Sequence, residues 1–194
     1  MKTVMEQECR PLSDCIHLSN LFNGAMEWNS PEELIVSPQS QKEHLGTVKI
    51  PSGQRIRLAL EQLQCFEVVE EQFLAWGISF VNAIALQPSN PAFGIQPNQT
   101  VVMAAPKSGW LEVHFQQPVR RVQAVVTSSR RTILSAYNQD GHEINRTEMA
   151  SFDRASLPKV LPSDQLIVQG TNIHKVTFYT FDGQLIVDQF QIEF

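Results

Sequence analysis

The segment 110–116, WLEVHFQ, constrains the fold strongly because apolar and polar side chains alternate from Leu111 to Gln116. Its apolar side chains at every second position are Leu111, Val113 and Phe115. A period of two places them on one face of a β-strand and the intervening polar residues on the other. After Pro118 the pattern returns in VRRVQAVVT, where Val122, Ala124 and Val126 share a face. This region therefore predicts β-structure with one buried face.

Turn signals separate further β-like segments. RTILSAYNQDGHEINRT is typical of a hairpin that turns at Asn138–Gly141, and IHKVTFYTFDGQLIVDQFQIEF predicts a second hairpin that turns at Asp182–Gly183. Residues that favour strands are frequent and helical stripes are few. We therefore expect an all-β fold, an antiparallel sandwich or barrel, with one or two short helices. The long connection MASFDRASLPKVLPSDQ is of the kind that crosses from one sheet to the other.

One helical stripe is predicted within this β region. Its apolar residues, spaced by three or four, are Leu63, Phe66, Val69, Phe73 and Trp76. Gly77 follows at the position where helices often end in a left-handed residue. The period then changes to two over Ile78–Leu86, a strand that Asn82 interrupts, and we expect the Asn82 amide to be buried and bonded to loop backbone. The segment 88–94, PSNPAFG, predicts an end loop stiffened by two prolines.

Residues 1–45 differ from the rest because their apolar residues show no sustained period. NSPEEL, at Asn29–Leu34, offers a serine cap, a proline at the first helical position and two acids in the first turn, which predicts one short helix. We interpret residues 1–45 as a partly irregular N-terminal extension and residues 46–194 as the β-sandwich domain.

The net charge of −5 disfavours a nucleic-acid partner, which would require a basic surface. No stretch approaches the roughly 20 apolar residues that cross a bilayer, so we expect no membrane partner. The first residues carry no apolar signal segment, and three cysteines do not make a disulfide framework. We therefore expect a cytoplasmic protein, or an exported one if the sequence is a trimmed form of a longer chain.

The order of several motifs resembles that of galactose-binding-domain-like jelly rolls, especially those in exported bacterial proteins of unassigned function. The motifs are VVEEQFLAWGISFVNAIAL, GWLEVHFQQPVRRVQAVV, LSAYNQDGHEI and LIVDQFQIEF, and the resemblance covers roughly residues 50–194. It implies a sandwich of about eight strands, commonly a non-catalytic binding module, sometimes with a structural calcium ion. Function does not follow from such a fold alone.

Asp188 is in phase with the apolar residues of its predicted strand, where an ionised carboxylate is costly unless it has a partner. The resemblance implies that an acid in this strand can hold calcium, and Glu61, at the end of RLALE, is the natural second ligand. Two alternatives stay open: a bulge that sends Asp188 outward, or a pairing with Arg57 or Lys175.

Aromatic side chains near loops are candidates for stacking on a sugar ring. Trp76 and Tyr137 are better explained as core residues. Phe93, with Asn90 in the same loop, and Trp110, after KSG, lie near loop–strand junctions. We therefore predict Asn90, Phe93 and Trp110 as ligand-binding residues at one end of the sandwich, against the alternative that the loop merely packs there.

No catalytic signature is present: the sequence has no G-x-S-x-G motif, phosphate loop or zinc-ligand spacing. The first hypothesis is therefore a non-enzymatic module that binds a carbohydrate or a similar polar molecule. The alternative is an intracellular protein–protein interaction or assembly module, with residues 1–45 facing the partner. A metal-dependent hydrolase is a third reading. The oligomeric state is left open.

Overall fold

The computed structural model describes residues 33–39, 47–105, 109–149, 159–181 and 183–194. Within these ranges all regular structure is β-strand or short 3-10 helix. The strands are β1 (Glu33–Val36), β2 (Arg55–Leu58), β3 (Val68–Val69), β4 (Ile78–Val81), β5 (Ala83–Leu86), β6 (Val101–Ala104), β7 (Trp110–Ser128), β8 (Thr132–Tyr137), β9 (Glu143–Met149), β10 (Ser163–Thr180) and β11 (Leu185–Glu193). The 3-10 helices are Leu60–Gln62, Leu74–Trp76 and Pro91–Phe93.

A long antiparallel ribbon of β7 and β10 organises the fold. It runs from the pair Ser163–Thr127 to the pair Tyr179–Trp110, with register shifts between Gln169 and Lys175. Such irregularities bend a ribbon. Ser128, at the first of these ends, lies next to Thr180, at the other end, with 3.4 Å between their hydroxyl oxygens, so the two ends of the ribbon meet. The ribbon is therefore folded over on itself.

The two limbs of the ribbon belong to two sheets. The first part of β7 pairs with β4. The second part of β10 pairs with β8, which pairs in turn with β9. We call the strands in the order β4–β7–β10–β8–β9 the front sheet. The second part of β7 pairs with β11, which pairs in turn with β6 and β2. With β5 and β3 beyond β6, and β1 beyond β2, these strands form the back sheet.

Phenylalanine rings join the two sheets across the core. Phe190 of the back sheet contacts Phe80 and Phe178 of the front sheet, at centroid separations of 6.1 and 6.2 Å. All three side chains are at least 96% buried. Burial of each ring stabilises the fold by about 1.5–3 kcal/mol. The predicted all-β antiparallel sandwich is thus confirmed, with the jelly-roll character of a folded-over ribbon.

Of the two hairpins predicted from the sequence, one is present and the other is not. The hairpin at Asn138–Gly141 is confirmed, since β8 and β9 pair on either side of it and Asn138 N donates to His142 O at 3.0 Å. The predicted hairpin between β10 and β11 is wrong, because both strands pair with β7, on its opposite edges. The chain instead changes sheet after Thr180.

The helical stripe predicted over residues 63–76 is also wrong. Leu63, Val69 and Phe73 are buried, but Phe66 is 78% exposed. Phe66 adopts φ +70°, which no helix residue does, and the short strand β3 follows. Only Leu74–Trp76 is helical, as a single 3-10 turn, and Gly77 ends it at φ +71° in the predicted left-handed conformation.

Asn82 divides the predicted strand Ile78–Leu86 into β4 and β5, which belong to different sheets. Its backbone has φ +62°, so it forms a corner that asparagine tolerates better than most residues. Its carbonyl accepts from Ala105 N, and its side-chain amide donates to the carbonyl of Trp110. The expected bond from this amide to backbone is therefore present, but Asn82 is half-buried, not buried, and its acceptor belongs to the first residue of β7, not to a loop.

Replacing Asn82 by alanine should lower the free energy of unfolding by about 1–3 kcal/mol, because the Trp110 carbonyl loses its donor and alanine resists a left-handed φ. Asn82→Gly keeps the backbone conformation and should cost less. Urea denaturation of both variants measures the difference. Equal losses would show that the corner depends on the amide alone.

Strand β1 extends the back sheet into the segment assigned to the N-terminal extension. It pairs in parallel with β2, from Glu33–Arg55 to Val36–Leu58. Glu33 and Leu34 are therefore in a strand, so the helix predicted over Asn29–Leu34 is wrong for its last two residues; the others lie outside the described residues. Among the described parts of the chain, no helix is long and apolar enough to span a membrane.

Candidate functional site

The outer surface of the front sheet carries a row of aromatic and aliphatic side chains. Tyr179 pairs with Trp110 on one side and with Ile133 on the other. The neighbouring Phe178 and Leu111 are buried in the core, so alternation directs the row outward. Tyr179 is 44% exposed, and Trp110 and Ile133 are half-buried. We call this row, together with the polar rows beside it, the aromatic face.

Polar side chains occupy the next rows of the same surface. Glu112 and Thr177 form the adjacent cross-strand pair, and His114 and Lys175 form the pair beyond it. The Glu112 carboxylate lies 2.9 Å from His114 Nε2 and 3.6 Å from Lys175 Nζ. The Lys175 ammonium also lies 5.0 Å from the centroid of the Tyr137 ring. Donors and acceptors are therefore held within a few residues of the aromatic row.

This arrangement suits a ligand with both apolar and hydroxyl surfaces. A sugar ring offers C–H groups that pack on aromatic rings and hydroxyls that require polar partners. The aromatic face presents both kinds of group on paired strands, whose backbone hydrogen bonds hold them in place before a ligand arrives. The polar residues are partly solvated, so their mutual ion pairs add little to stability.

The structure places the predicted ligand residues in two separate locations. Trp110 lies on the aromatic face. Asn90 and Phe93 lie in the loop between β5 and β6, at the end where Leu86 pairs with Val101. Trp110 is bound to Asn82 at the opposite end of that strand pair. No hydrogen bond or ring contact among the described residues joins the loop to Trp110.

The Asn90 loop is held by its own contacts. The Asn90 side chain accepts a hydrogen bond from Ala92 N at 3.0 Å and caps the 3-10 helix Pro91–Phe93. Ala92 O in turn accepts from Leu161 N. Phe93 is half-buried. The loop is therefore ordered by internal capping, and a ligand role for Asn90 and Phe93 stays a prediction.

Sequence reasoning missed Tyr179, Glu112 and Lys175 as members of a site. The signal was present in β10, where Ile173, Val176 and Phe178 mark the core face. Tyr179 is an aromatic residue on the polar side of that strand. Recognising it required the knowledge that β10 pairs with β7 at Trp110. Of the two aromatic residues expected in the core, Trp76 is half-buried and packs against the core. The expectation for Tyr137 is wrong, because Tyr137 pairs with Lys175 on the outer surface and the neighbouring Ala136 is the buried residue.

Asp188 lies in a β-bulge, which is one of the two alternatives stated above, but the bulge does not send its carboxyl fully outward. Val187 pairs with Val126 and Gln189 with Val125, so Asp188 is the extra residue on β11. Burial raises the pKa of its carboxyl above the ordinary value, and a backbone hydrogen bond partly opposes the effect. Its Oδ1 is buried and has no hydrogen-bond partner.

The alternative pairing of Asp188 with Arg57 or Lys175 is wrong. Arg57 pairs with Glu61 at 3.2 Å, and Lys175 pairs with Glu112. The described residues contain no group of three or more side chains that could hold a metal ion. The Glu61 carboxylate already forms an ion pair with Arg57, which does not favour a metal ligand role for it. A calcium site at Glu61 and Asp188 stays a prediction.

Asp188→Asn should raise the melting temperature at pH 7.5 but not at pH 4. The folded chain holds the Asp188 proton more tightly than the unfolded chain, so wild-type stability falls as pH rises from about the ordinary value of 3.8 through the raised pKa. Asparagine cannot ionise and avoids that loss. Thermal melts with and without chelator measure the effect. A calcium site would give the opposite result: chelator and Asp188→Asn would each lower the melting temperature.

Comparison with known proteins finds similarity at the level of structure only. No protein-family model and no curated protein matches the sequence. A family 29 carbohydrate-binding module is similar, with 6% identity, coverage of 60% of this chain and 80% of that one, and a TM-score of 0.39. A cleaved adhesin domain of Lys-gingipain from Porphyromonas gingivalis has 8% identity, coverage of 73% and 98%, and a TM-score of 0.44.

A third solved structure is an arabinoxylan arabinofuranohydrolase of glycoside hydrolase family 43 from Bacillus subtilis, in complex with cellotetraose. It is 18% identical over 57% of this chain and 24% of its own, with a TM-score of 0.36. All three similarities are remote. The class of fold is defined by the strand pairing of this chain: an antiparallel β-sandwich of jelly-roll type.

Proposed function

We propose that this chain is a non-catalytic binding module that holds a carbohydrate, or a similar polyhydroxylated molecule, on the aromatic face. One observation carries the proposal: the Trp110–Tyr179 pair lies on the outer surface, one row from Glu112 and Thr177. An aromatic pair beside a carboxylate and a hydroxyl matches the two kinds of surface on a sugar ring.

The aromatic row lies at one end of the front sheet, since Trp110 is the first residue of β7 and Thr180 the last of β10. A ligand stacked on Tyr179 would therefore lie at that end of the sandwich. Lys175 and His114 each lie four residues from the aromatic pair along their strands, within reach of a second sugar unit. The hydrogen-bonded pairing of β7 with β10 fixes the backbone of each of these residues.

A glycan array probed with the labelled full chain tests the proposal, followed by calorimetric titration of any sugar that binds. We expect millimolar to micromolar dissociation constants, the range in which a few stacking and hydrogen-bonding contacts operate. Absence of binding to every sugar at millimolar concentration would overturn the proposal.

A second candidate is an assembly module, and one observation favours it. Among the described strands β1 pairs only with β2, and on it Leu34 is 41% and Ile35 54% exposed. Edge strands can pair with strands of other chains. If β1 mediates assembly, Ile35→Lys should reduce the oligomer mass measured by sedimentation, since a charge on an edge strand opposes pairing. A mass equal to that of the wild type would contradict this candidate.

A further inference from the structure

An exposed apolar patch lies at the β3 edge of the back sheet, remote in the strand order from the aromatic face. Val68 pairs with Ile84, which pairs with Met103. The residues beside them on these strands, Val69, Ala83 and Ala104, are buried in the core. Alternation therefore directs Val68, Ile84 and Met103 to the outer surface. Phe66 is exposed, and its backbone N–H donates to Ala85 O, next to Ile84 in the chain, so we group it with these three residues as the Phe66 patch.

The aromatic ring of Phe66 contributes little to the stability of the fold. Its side chain is 78% exposed, and Val68 is 58% exposed. Phe66 has φ +70°, a conformation that is costly for a bulky residue and free of cost for glycine. Its backbone N–H donates to Ala85 O at 2.7 Å, a bond that glycine would also make. The ring is therefore dispensable for the fold.

The chain segment that carries the patch is acidic. The sequence contains no lysine, arginine or histidine between residues 58 and 106, whereas it contains Glu67, Glu70 and Glu71 beside the patch. Glu67 accepts hydrogen bonds from Gln64 N and Gln72 Nε2. Glu70 and Glu71 are exposed, and their carboxylates make no ion pair or hydrogen bond within the described chain. Their charge is thus available to a partner.

We propose that the Phe66 patch docks a basic amphipathic segment of another protein. Apolar side chains of that segment would pack on Phe66 and Val68, and its lysines or arginines would meet Glu70 and Glu71. Exposed apolar patches of this kind mark interaction sites, and complementary charge selects the partner. A second copy of this chain would bring like charges together at the patch, and an anionic lipid surface would be repelled by the same carboxylates.

The experiment uses the full chain and a fluorescein-labelled ten-residue peptide of alternating leucine and lysine, with fluorescence anisotropy as the readout. Phe66→Gly should weaken binding by about ten-fold or more, because it removes the central apolar contact. Its melting temperature should equal or exceed that of the wild type, since glycine relieves the backbone. The matched control is Phe181→Gly, which removes a phenylalanine that is 71% exposed elsewhere and should leave peptide affinity unchanged.

Charge is tested with the double variant Glu70→Gln and Glu71→Gln, which should weaken binding several-fold and flatten its dependence on salt. A serine–lysine peptide of equal charge should bind weakly, which separates the apolar contribution from the electrostatic one.

Four results would overturn the proposal. They are no binding of the leucine–lysine peptide, equal losses for Phe66→Gly and Phe181→Gly, equal affinity for a leucine–glutamate peptide, and Phe66-dependent binding to phosphatidylserine vesicles in place of the peptide. The last would assign the patch to a membrane.

Discussion

Replacing Tyr179 by alanine should reduce carbohydrate affinity by at least about 30-fold, the effect expected when a central aromatic contact worth 2 kcal/mol or more is lost. The change should leave the melting temperature within about 2 °C of the wild type, because a partly exposed side chain contributes little to stability. Titration calorimetry with the sugar selected by the array measures the first effect, and thermal melts the second.

The matched comparison is Phe93→Ala, which removes the aromatic ring of the predicted loop site. If the aromatic face binds the ligand, Phe93→Ala retains wild-type affinity while Tyr179→Ala loses it. The reverse pattern would move the site to the loop at Asn90. Loss in both variants, with both proteins folded, would mean that the ligand reaches from one location to the other.

Phe190→Ala should lower the free energy of unfolding by about 3–5 kcal/mol, the cost of removing a fully buried phenylalanine from a packed core. Phe190 is 99% buried and touches both Phe80 and Phe178, so its loss opens a cavity between the two sheets. In a domain of this size the melting temperature should fall by roughly 10 °C or more.

The adjacent Gln189 supplies the control for that measurement. Gln189 is exposed on the same strand, and Gln189→Ala should change stability by no more than about 0.5 kcal/mol. A loss below about 1 kcal/mol for Phe190→Ala would contradict the two-layer core, since it would mean that the facing sheets collapse readily around the missing ring.

Local patterns were sufficient to predict most strands of this fold. The alternation of β7, the turn at Asn138–Gly141 and the left-handed Gly77 all depend on residues close in sequence, and all three are found. The pairing of β11 with β7 depends on residues about 60 positions apart. Alternation indicates which face of a strand is buried, but it does not indicate which strand lies beside it. For this reason a hairpin between the consecutive strands β10 and β11 was predicted, and the prediction was wrong.

The predicted helix failed for a related reason. Leu63, Phe66, Val69 and Phe73 have helical spacing, yet this spacing also arises when short turns alternate with short strands. The left-handed φ of Phe66 separates the two possibilities. Aromatic residues rarely adopt that conformation, so the sequence contained no signal for it.

The candidate site likewise combines a residue that was predicted from local sequence with one that only strand pairing reveals. Trp110 was predicted because it follows a loop, and it does lie on the aromatic face. Tyr179 came from a strand 69 residues away, and only the register of β7 with β10 brings the two together. Asp188 was recognised from its phase, and the bulge that displaces it was one of two alternatives. Register and bulges arise from pairing, which single-strand patterns do not encode.

The position of β11 has a consequence for how the chain is synthesised. β11 is inserted between β7 and the strands β6 and β2, although it is formed by residues 185–193, after every other strand. Until those residues leave the ribosome, the nascent back sheet has a gap bordered by open hydrogen-bonding edges. The chain therefore depends on its last described strand to join the two parts of the back sheet, and nascent chains arrested before residue 185 should be substrates for chaperones.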